Sequence, residues 1–225
     1  MRYEVFQDDR ALGQRADDLF AQGLAGCQAE GRDFQVALSG GHTPVALYRE
    51  LRERSLAWER VQVYFSDERC VPPDSPESNY RLAKEELLDH VPIPGSRVHR
   101  LEGELPPEEA ARRYLALLPE RFDLIYLGTG EDGHTASLFP GTQGLSARER
   151  VLANWVPKLE SWRLSLSFGE INRAREVVLL ATGGAKAQVV LAASQGEGDL
   201  PVLKLKDPLW LLDTQSAALL SSAAS

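Results

Sequence analysis

The sequence contains little cysteine: Cys27 and Cys70 are the only two in 225 residues. Two cysteines are too few for the disulfide framework that stabilises small secreted domains. Cys27 lies within a helical pattern and is predicted to be a small, buried or half-buried residue. Cys70 directly follows the charged run 67–69, so a catalytic thiol has to be considered. No flanking pattern indicates the activating environment that a reactive thiolate needs.

Long apolar runs and an excess of positive charge are also missing. No run approaches the ~20 residues that span a bilayer, and residues 1–6 read as a short strand without the pattern of a signal segment. The formal net charge is −8, and an acidic surface repels nucleic acid and anionic membranes. We therefore expect a cytoplasmic protein, a monomer or small homo-oligomer, that acts on a small molecule and binds neither nucleic acid nor membrane.

Apolar, strand-like runs alternate with helical patterns along most of the chain. Strands are predicted at residues 1–6, 34–38, 61–65, 122–127, 163–168, 177–181 and 209–213. Helices are predicted at 43–54 and 79–89, from 106, from 185, and as a short frayed helix at 216–225. This alternation predicts an α/β fold with a mostly parallel, doubly wound, Rossmann-like sheet and helices on both faces. Because no linker or repeat divides it, the chain is expected to be one domain, 1–225.

Four predicted strands end in polar or glycine-rich loops, at Ser39, Asp67, Gly128 and Thr182. In open parallel sheets, ligands bind at the carboxyl ends of the strands. These loops are therefore expected to meet at one edge of the sheet and to form the ligand-binding site.

The first of these loops reads Ser39-Gly40-Gly41-His42-Thr43-Pro44 and leads into a helix. Two glycines allow the backbone to approach an anion, and the helix start offers free N–H groups and a positive dipole end. Thr43 is expected to cap the helix or to donate its hydroxyl to a phosphate oxygen. The alternative is a tight turn that needs glycine for its geometry alone. The loop matches neither the GxxxxGK[ST] motif nor the dinucleotide-binding GxGxxG motif.

The run Thr182-Gly183-Gly184-Ala185-Lys186 repeats this design at a second predicted helix start. Lys186, one of five lysines, lies near the positive end of the helix dipole, where a cation does not stabilise the helix. A bound anion would offset that cost, so Lys186 is a candidate phosphate ligand. A solvated surface lysine is the alternative.

Two further loops carry charged side chains to the same edge. In Asp67-Glu68-Arg69, the planar fork of Arg69 suits a phosphate or carbonyl oxygen, unless the run is only a solvated edge. In Asp132-Gly133-His134, the histidine suits proton transfer near neutral pH, and a nearby carboxylate can fix its tautomer. Metal ligation is the other use of Asp-x-His. It would need Asp67 or Glu68 as well, and is expected only for an adventitious metal.

The remaining histidines are weaker candidates. His90 lies at a predicted helix end and His99 in a strand-like segment, so both are expected to be structural or solvated. His42 lies inside the glycine loop and could touch a ligand. No serine stands in a Gly-x-Ser-x-Gly elbow, which leaves a serine-hydrolase mechanism without support.

Four motifs together resemble a known enzyme family. They are Leu38–Pro44, Phe65–Pro72 with Ser78-Asn79-Tyr80, Phe122–Gly128 leading to Asp132–Gly141, and Gly183–Ala187. On these motifs, which span nearly the whole chain, the sequence resembles the glucosamine-6-phosphate isomerase/6-phosphogluconolactonase family and looks like its bacterial-type lactonases. The isomerases are expected to carry an Asn-Glu-Pro segment after the histidine, whereas residues 135–140 read Thr-Ala-Ser-Leu-Phe-Pro. His42 stands where the family usually has serine, so its role stays open.

The resemblance implies hydrolysis of 6-phospho-D-glucono-1,5-lactone to 6-phosphogluconate without a cofactor or a metal. His134 would be the base that deprotonates the attacking water, and Asp132 would position it. The remaining implied substrate ligands are Ser39, Gly40, Gly41, Thr43 and Lys186 for the phosphate, Arg69 and Arg163 for the phosphate or developing charge, and Asp67 for sugar hydroxyls or for orienting Arg69. Two alternatives remain: a sugar-phosphate isomerase or deaminase of the same fold, and a non-catalytic sugar-phosphate sensor, which would need a DNA-binding domain or a partner.

Overall fold

The computed structural model describes residues 1–220. Its strands are β1 (Arg2–Phe6), β2 (Phe34–Leu38), β3 (Val61–Phe65), β4 (Asp67–Arg69), β5 (Leu124–Gly128), β6 (Val151–Val156), β7 (Ser161–Leu166), β8 (Glu176–Ala181) and β9 (Leu209–Asp213). Its helices are α1 (Asp9–Ala29), α2 (Pro44–Arg52), α3 (Asn79–Glu86), α4 (Pro107–Leu115), α5 (Phe168–Ile171) and α6 (Ala187–Gln195).

Six of the strands form one parallel sheet in the order β1-β9-β8-β5-β2-β3. β9 reads Leu-Trp-Leu-Leu-Asp and is buried throughout, and the first four residues of β5 are also buried. Such continuous burial is typical of parallel strands that are covered on both faces. The predicted α/β fold with a mostly parallel sheet and helices is confirmed.

A second, three-stranded antiparallel sheet has the order β4-β7-β6 and was not predicted. The sequence placed the charged run 67–69 in a loop after β3, but it forms β4 and pairs with β7 instead. β6 was not predicted. The polar Asn154 is buried and the apolar Trp155 is exposed, so β6 lacks the regular alternation of apolar and polar residues that predicts a half-exposed strand. This small sheet brings the hairpin of β6 and β7 next to the carboxyl edge of the main sheet.

Local capping chemistry sets two of the helix starts. Asp8 accepts a hydrogen bond from the backbone N–H of Ala11 at the start of α1, and Ser78 accepts one from Arg81 at the start of α3, as predicted. A 3₁₀ turn, Gly184–Lys186, precedes α6, so this helix begins two residues later than predicted. None of the helices within residues 1–220 has the length and apolar character needed to cross a lipid bilayer.

The C-terminal segment differs from its prediction. Residues 214–220 form hydrogen-bonded turns in place of the first part of the short helix expected at 216–225. Ser216 donates its hydroxyl to the carbonyl of Ala181, which ties these turns to the end of β8. The rest of that prediction, 221–225, lies outside the described residues.

Candidate active site

Two adjoining cavities, of about 360 Å³ and 470 Å³, lie at the carboxyl edge of the main sheet. Because Asp67, Arg69, His134 and Lys186 line both, the cavities form one cleft. The predicted site residues that line it are Ser39, Gly40, Gly41, Thr43, Asp67, Arg69, Asp132, His134, Arg163 and Lys186. The structure therefore brings together all ten residues that the sequence analysis proposed as catalytic or substrate-binding.

The glycine loop forms the half of the cleft that is rich in hydrogen-bond donors. Thr43 occupies the N-cap position of α2 without a side-chain capping bond, and its Oγ1 lies 3.2 Å from Oγ1 of Thr182. The hydroxyl of Ser39 is buried and has no hydrogen-bond partner among the described residues. Of the two roles predicted for Thr43, capping is therefore absent, and the hydroxyl is available to a ligand.

The second glycine turn lies beside the first, in contact with it through Thr182 and Thr43. The backbone N–H of Gly183 donates to Oδ2 of Asp213 at 2.9 Å, and Asp213 is buried. This bond fixes the turn that places Lys186 at the start of α6, beside the glycine loop. Sequence reasoning missed Asp213, because it lies at the end of a different strand, β9.

His134 and Asp132 form a hydrogen-bonded pair in the other half of the cleft. Nδ1 of His134 lies 2.6 Å from Oδ1 of Asp132, and the backbone N–H of His134 donates to the same oxygen at 3.2 Å. Gly133 between them has φ +75°, a left-handed conformation that favours glycine and turns both side chains to one side. An ionised carboxylate accepts only, so Nδ1 carries the proton. Nε2, which has no partner among the described residues, is left as the acceptor.

The charge of Asp132 is supported by its neighbours. Partial burial opposes ionisation, but hydrogen bonds from His134 and Lys158 outweigh it and hold the pKa of Asp132 below its ordinary value. Asp132 is thus ionised at neutral pH and can orient the imidazole. This environment suits a general base at Nε2 of His134.

Two residues missed by sequence reasoning hold the imidazole in place. The ring of Phe139 is stacked on that of His134, with centroids 4.0 Å apart. Gly130 lies so close to the imidazole that a Cβ at this position would be 2.1 Å from Nδ1. Both residues lie in or beside the motif that the sequence singled out, but nothing in the sequence pattern signalled these contacts.

Arg69 and Arg163 lie directly opposite each other on β4 and β7. Like charges in such a cross-strand pair destabilise a sheet. Burial, and then the charge of Arg69, lower the pKa of Arg163 below its ordinary value. Their side chains are anchored to Glu77 and Ser161, with Nη1 of Arg69 2.7 Å from the Glu77 carbonyl and Nη1 of Arg163 2.7 Å from Oγ of Ser161. An anion between the two guanidinium groups would relieve their repulsion.

Asp67 does not orient Arg69, one of its two predicted roles, and Glu68 has a structural role. Asp67 accepts a hydrogen bond from Ser137, with Oγ 2.7 Å from Oδ2, and among the described residues it makes none with Arg69. Glu68 is buried and accepts bonds from Ser78 and from the backbone N–H groups of Asn79 and Tyr80, at the start of α3. Glu68 is therefore structural and does not join Asp132 and His134. Within residues 1–220, no group of three His, Cys, Asp or Glu side chains is placed to hold a metal ion.

Of the weaker candidates, Cys70, His90 and His99 lie outside the cleft, and His42 lies at its rim. Burial raises the pKa of Cys70 to about 11, so its thiol is not activated. A ring nitrogen of His90 lies 2.9 Å from the carbonyl of Glu85, and His99 is stacked on Tyr64. His42 is exposed at the rim of the cleft.

Comparison with known proteins places this fold and cleft in a family. A model of "Glucosamine-6-phosphate isomerases/6-phosphogluconolactonase" matches residues 7–214. Human 6-phosphogluconolactonase is 39% identical over 96% of this chain and 93% of its own. The crystal structure of 6-phosphogluconolactonase from Thermotoga maritima aligns with a TM-score of 0.85 and 27% identity over 94% of this chain and 99% of its own.

A monomeric glucosamine-6-phosphate deaminase aligns equally well, with a TM-score of 0.86 over 97% of this chain and 100% of its own. Its identity of 23% shows a shared fold alone. The fold, the family model and the identity with the human relative lead to one conclusion. The chain belongs to the glucosamine-6-phosphate isomerase/6-phosphogluconolactonase family.

Proposed function

We propose that this chain hydrolyses 6-phospho-D-glucono-1,5-lactone to 6-phosphogluconate, with water as the nucleophile and His134 as the general base. The observation that carries the proposal is the His134–Asp132 pair, which leaves Nε2 free in a cleft lined by hydrogen-bond donors and cations. The names of the relatives at 34–39% identity support the substrate and the reaction.

In the proposed reaction, Nε2 of His134 takes a proton from a water molecule while the water oxygen attacks C1 of the lactone. Asp132 keeps the proton on Nδ1 and stabilises the imidazolium that forms. The tetrahedral intermediate then expels the ring oxygen, and His134 returns the proton to it as the C5 hydroxyl. A positioned base contributes typically ~10²–10⁴-fold to such a reaction. No covalent intermediate is needed.

The donors and cations of the cleft would bind the charged groups of the substrate. The glycine loop, Thr43 and Lys186 would hold the phosphate, so that binding far from C1 lowers the entropic cost of attack. Arg69 and Arg163 would bind phosphate or stabilise the charge that develops on the carbonyl oxygen, an effect worth ~10²–10³-fold for a single well-placed donor. Asp67 would accept hydrogen bonds from sugar hydroxyls.

The proposal is tested with His134→Ala in an assay that couples lactone hydrolysis to oxidation of 6-phosphogluconate, with spontaneous hydrolysis subtracted. Turnover is expected to fall by at least ~10²-fold while 6-phosphogluconate still binds. His90→Ala, the same substitution at a histidine outside the cleft, is expected to leave turnover unchanged. Wild-type-like turnover of His134→Ala would remove the base from the mechanism.

The same preparation separates the proposal from its alternatives. Release of ammonia from glucosamine 6-phosphate, without lactone hydrolysis, would favour a deaminase. Within residues 135–140, where the isomerases are expected to carry a glutamate, this chain has no carboxylate. Binding of sugar phosphates without any turnover would favour a sensor.

A further inference from the structure

Asp132 has a third partner, Lys158, which sequence reasoning did not single out. Nζ of Lys158 lies 3.3 Å from Oδ2 of Asp132, the oxygen that does not contact His134. The two carboxylate oxygens are thus engaged from opposite sides, one by the imidazole and one by an ammonium group. Lys158 also lines the same cavity as Asp132 and His134.

The turn that carries Lys158 is well defined. Lys158 lies in a 3₁₀ turn, Pro157–Leu159, between β6 and β7. The backbone N–H of Glu160 closes the turn by donating to the carbonyl of Pro157 at 3.1 Å, and Glu160 is left-handed, with φ +45°. One pair back from the turn, the rings of Trp155 and Trp162 pack edge to face, with centroids 5.6 Å apart. The turn therefore holds the backbone of Lys158 next to the Asp132 loop.

We propose that Lys158 is a positioning residue for the reaction proposed above: it holds the outer oxygen of Asp132, so that the inner oxygen stays aligned with Nδ1 of His134. This inference rests on the proposed function. An aspartate bound on one oxygen only can rotate about its Cβ–Cγ bond, and each rotation breaks the bond that orients the imidazole. A cation on the second oxygen opposes that rotation and keeps the carboxylate ionised.

Other charged groups also line the cavity around the Asp132–His134 pair, on each of the elements packed against it. They are Asp67 and Arg69 on β4, Glu131 beside Asp132, Arg163 on β7 and Lys186 before α6. Among the described residues, Lys158 is the only lysine or arginine within ion-pair distance of Asp132. Its hydrogen bond is one of the interactions that hold the pKa of Asp132 down. Loss of Lys158 removes a positive charge that opposes protonation of the pair, so the acid limb of the rate profile should move to higher pH.

The test compares Lys158→Met and Lys158→Arg with the wild-type enzyme in the lactone assay. The side chain of Lys158 is 72% exposed, so neither substitution threatens the fold. The matched control is Lys84→Met, because Lys84 is an exposed lysine that pairs with Asp89 on the surface. Measurements are kcat and KM across pH 5–9, and the Kd of 6-phosphogluconate.

For Lys158→Met we expect kcat to fall about two- to fivefold, the range of an exposed ion pair, and its acid limb to move to higher pH. KM and the Kd of 6-phosphogluconate should stay unchanged, Lys158→Arg should restore the profile, and Lys84→Met should match the wild type.

Two results would overturn the inference alone: a wild-type kcat and pH profile for Lys158→Met, or a Kd of 6-phosphogluconate that weakens in parallel, which would make Lys158 a substrate ligand. A wild-type protein that does not hydrolyse the lactone would overturn the proposed function and this inference together.

Discussion

The imidazole of His134 lies face to face with the ring of Phe139, with centroids 4.0 Å apart and planes inclined by 21°. Asp132 fixes the imidazole from its edge through Nδ1, and Phe139 fixes the plane in which it lies. Because a ring held on its face and on its edge cannot rotate freely, Nε2 keeps one direction. Phe139 is 9% exposed, so it reaches the cleft while most of its ring is packed in the protein.

Replacement of Phe139 with Leu is expected to lower kcat about two- to tenfold, the worth of a stacked aromatic pair, with KM unchanged. Phe139→Tyr keeps the ring face and should retain most of the activity. Phe168→Leu is the matched control, since Phe168 is equally buried and lies outside the cleft. A kcat loss in Phe168→Leu as large as that in Phe139→Leu would attribute both losses to general destabilisation.

Replacement of Asp132 with Asn tests the tautomer. An amide can donate as well as accept, so it no longer requires the proton to lie on Nδ1 of His134. We expect kcat to fall by ~10²–10⁴-fold with little change in the Kd of 6-phosphogluconate. Stopped-flow or initial-rate measurements with the lactone check this. A loss of product binding equal to the loss of kcat would instead show that Asp132 binds the ligand.

The two thiols are expected to be unreactive. Burial raises the pKa of Cys70 and of Cys27 to about 11 each. At pH 8, about one thiol in a thousand is therefore ionised. Iodoacetamide at this pH should label the folded protein slowly and leave lactone hydrolysis intact, whereas labelling in urea should be fast. Rapid inactivation that the substrate prevents would return Cys70 to the candidate catalytic residues.

Asp33 makes stability depend on pH. A hydrogen bond from Arg97, with Nη1 2.6 Å from Oδ2 of Asp33, lowers the pKa of this carboxyl, and Arg60 adds to the effect. A carboxyl whose pKa is lowered by folding stabilises the protein above its unfolded pKa, and the contribution is lost as pH falls through the folded pKa.

Asp33→Asn should therefore lower the free energy of unfolding by up to ~1 kcal/mol at pH 7. The difference from the wild type should begin to shrink below about pH 5 and should be lost once the pH is below both pKa values. Urea denaturation of both proteins at pH 7 and at a pH below both pKa values measures this difference in the free energy of unfolding. Asp74→Asn is the control, because Asp74 is exposed and makes no ion pair within the described residues. An Asp33→Asn difference that is the same at both ends would contradict the linkage.

Much of the architecture could be predicted because its signals are local. Runs such as Phe34–Leu38 and Leu209–Asp213 are apolar except for Gln35 and the terminal Asp213, and they are bounded by polar or glycine-rich turns. This pattern is sufficient to predict buried parallel strands. A parallel sheet places the carboxyl ends of its strands at one edge, so the loops after Leu38, Phe65, Leu127 and Ala181 were predicted to meet there. They do meet, and all ten candidate site residues line one cleft.

The small sheet could not be predicted in the same way. The charges of Asp67–Arg69 suggested a loop, and pairing of β4 with β7 depends on residues nearly a hundred positions further along the chain. A three-residue strand has too few side chains for a recognisable period. Its pairing partner therefore decides its structure.

The sequence by itself determined the sheet, the edge at which the cleft lies, and the residue types that line it, because these follow from patterns within a few residues. Only the tertiary structure decided what each side chain of the cleft contacts. The Thr43 side chain makes no capping bond to α2, and Glu68 accepts a hydrogen bond at the start of α3. Phe139 lies against His134, and Lys158 lies against Asp132. Such contacts depend on the register and packing of distant segments, which no local pattern encodes. The Asp132–His134 pair was recognisable from the sequence, but what holds it in place was not.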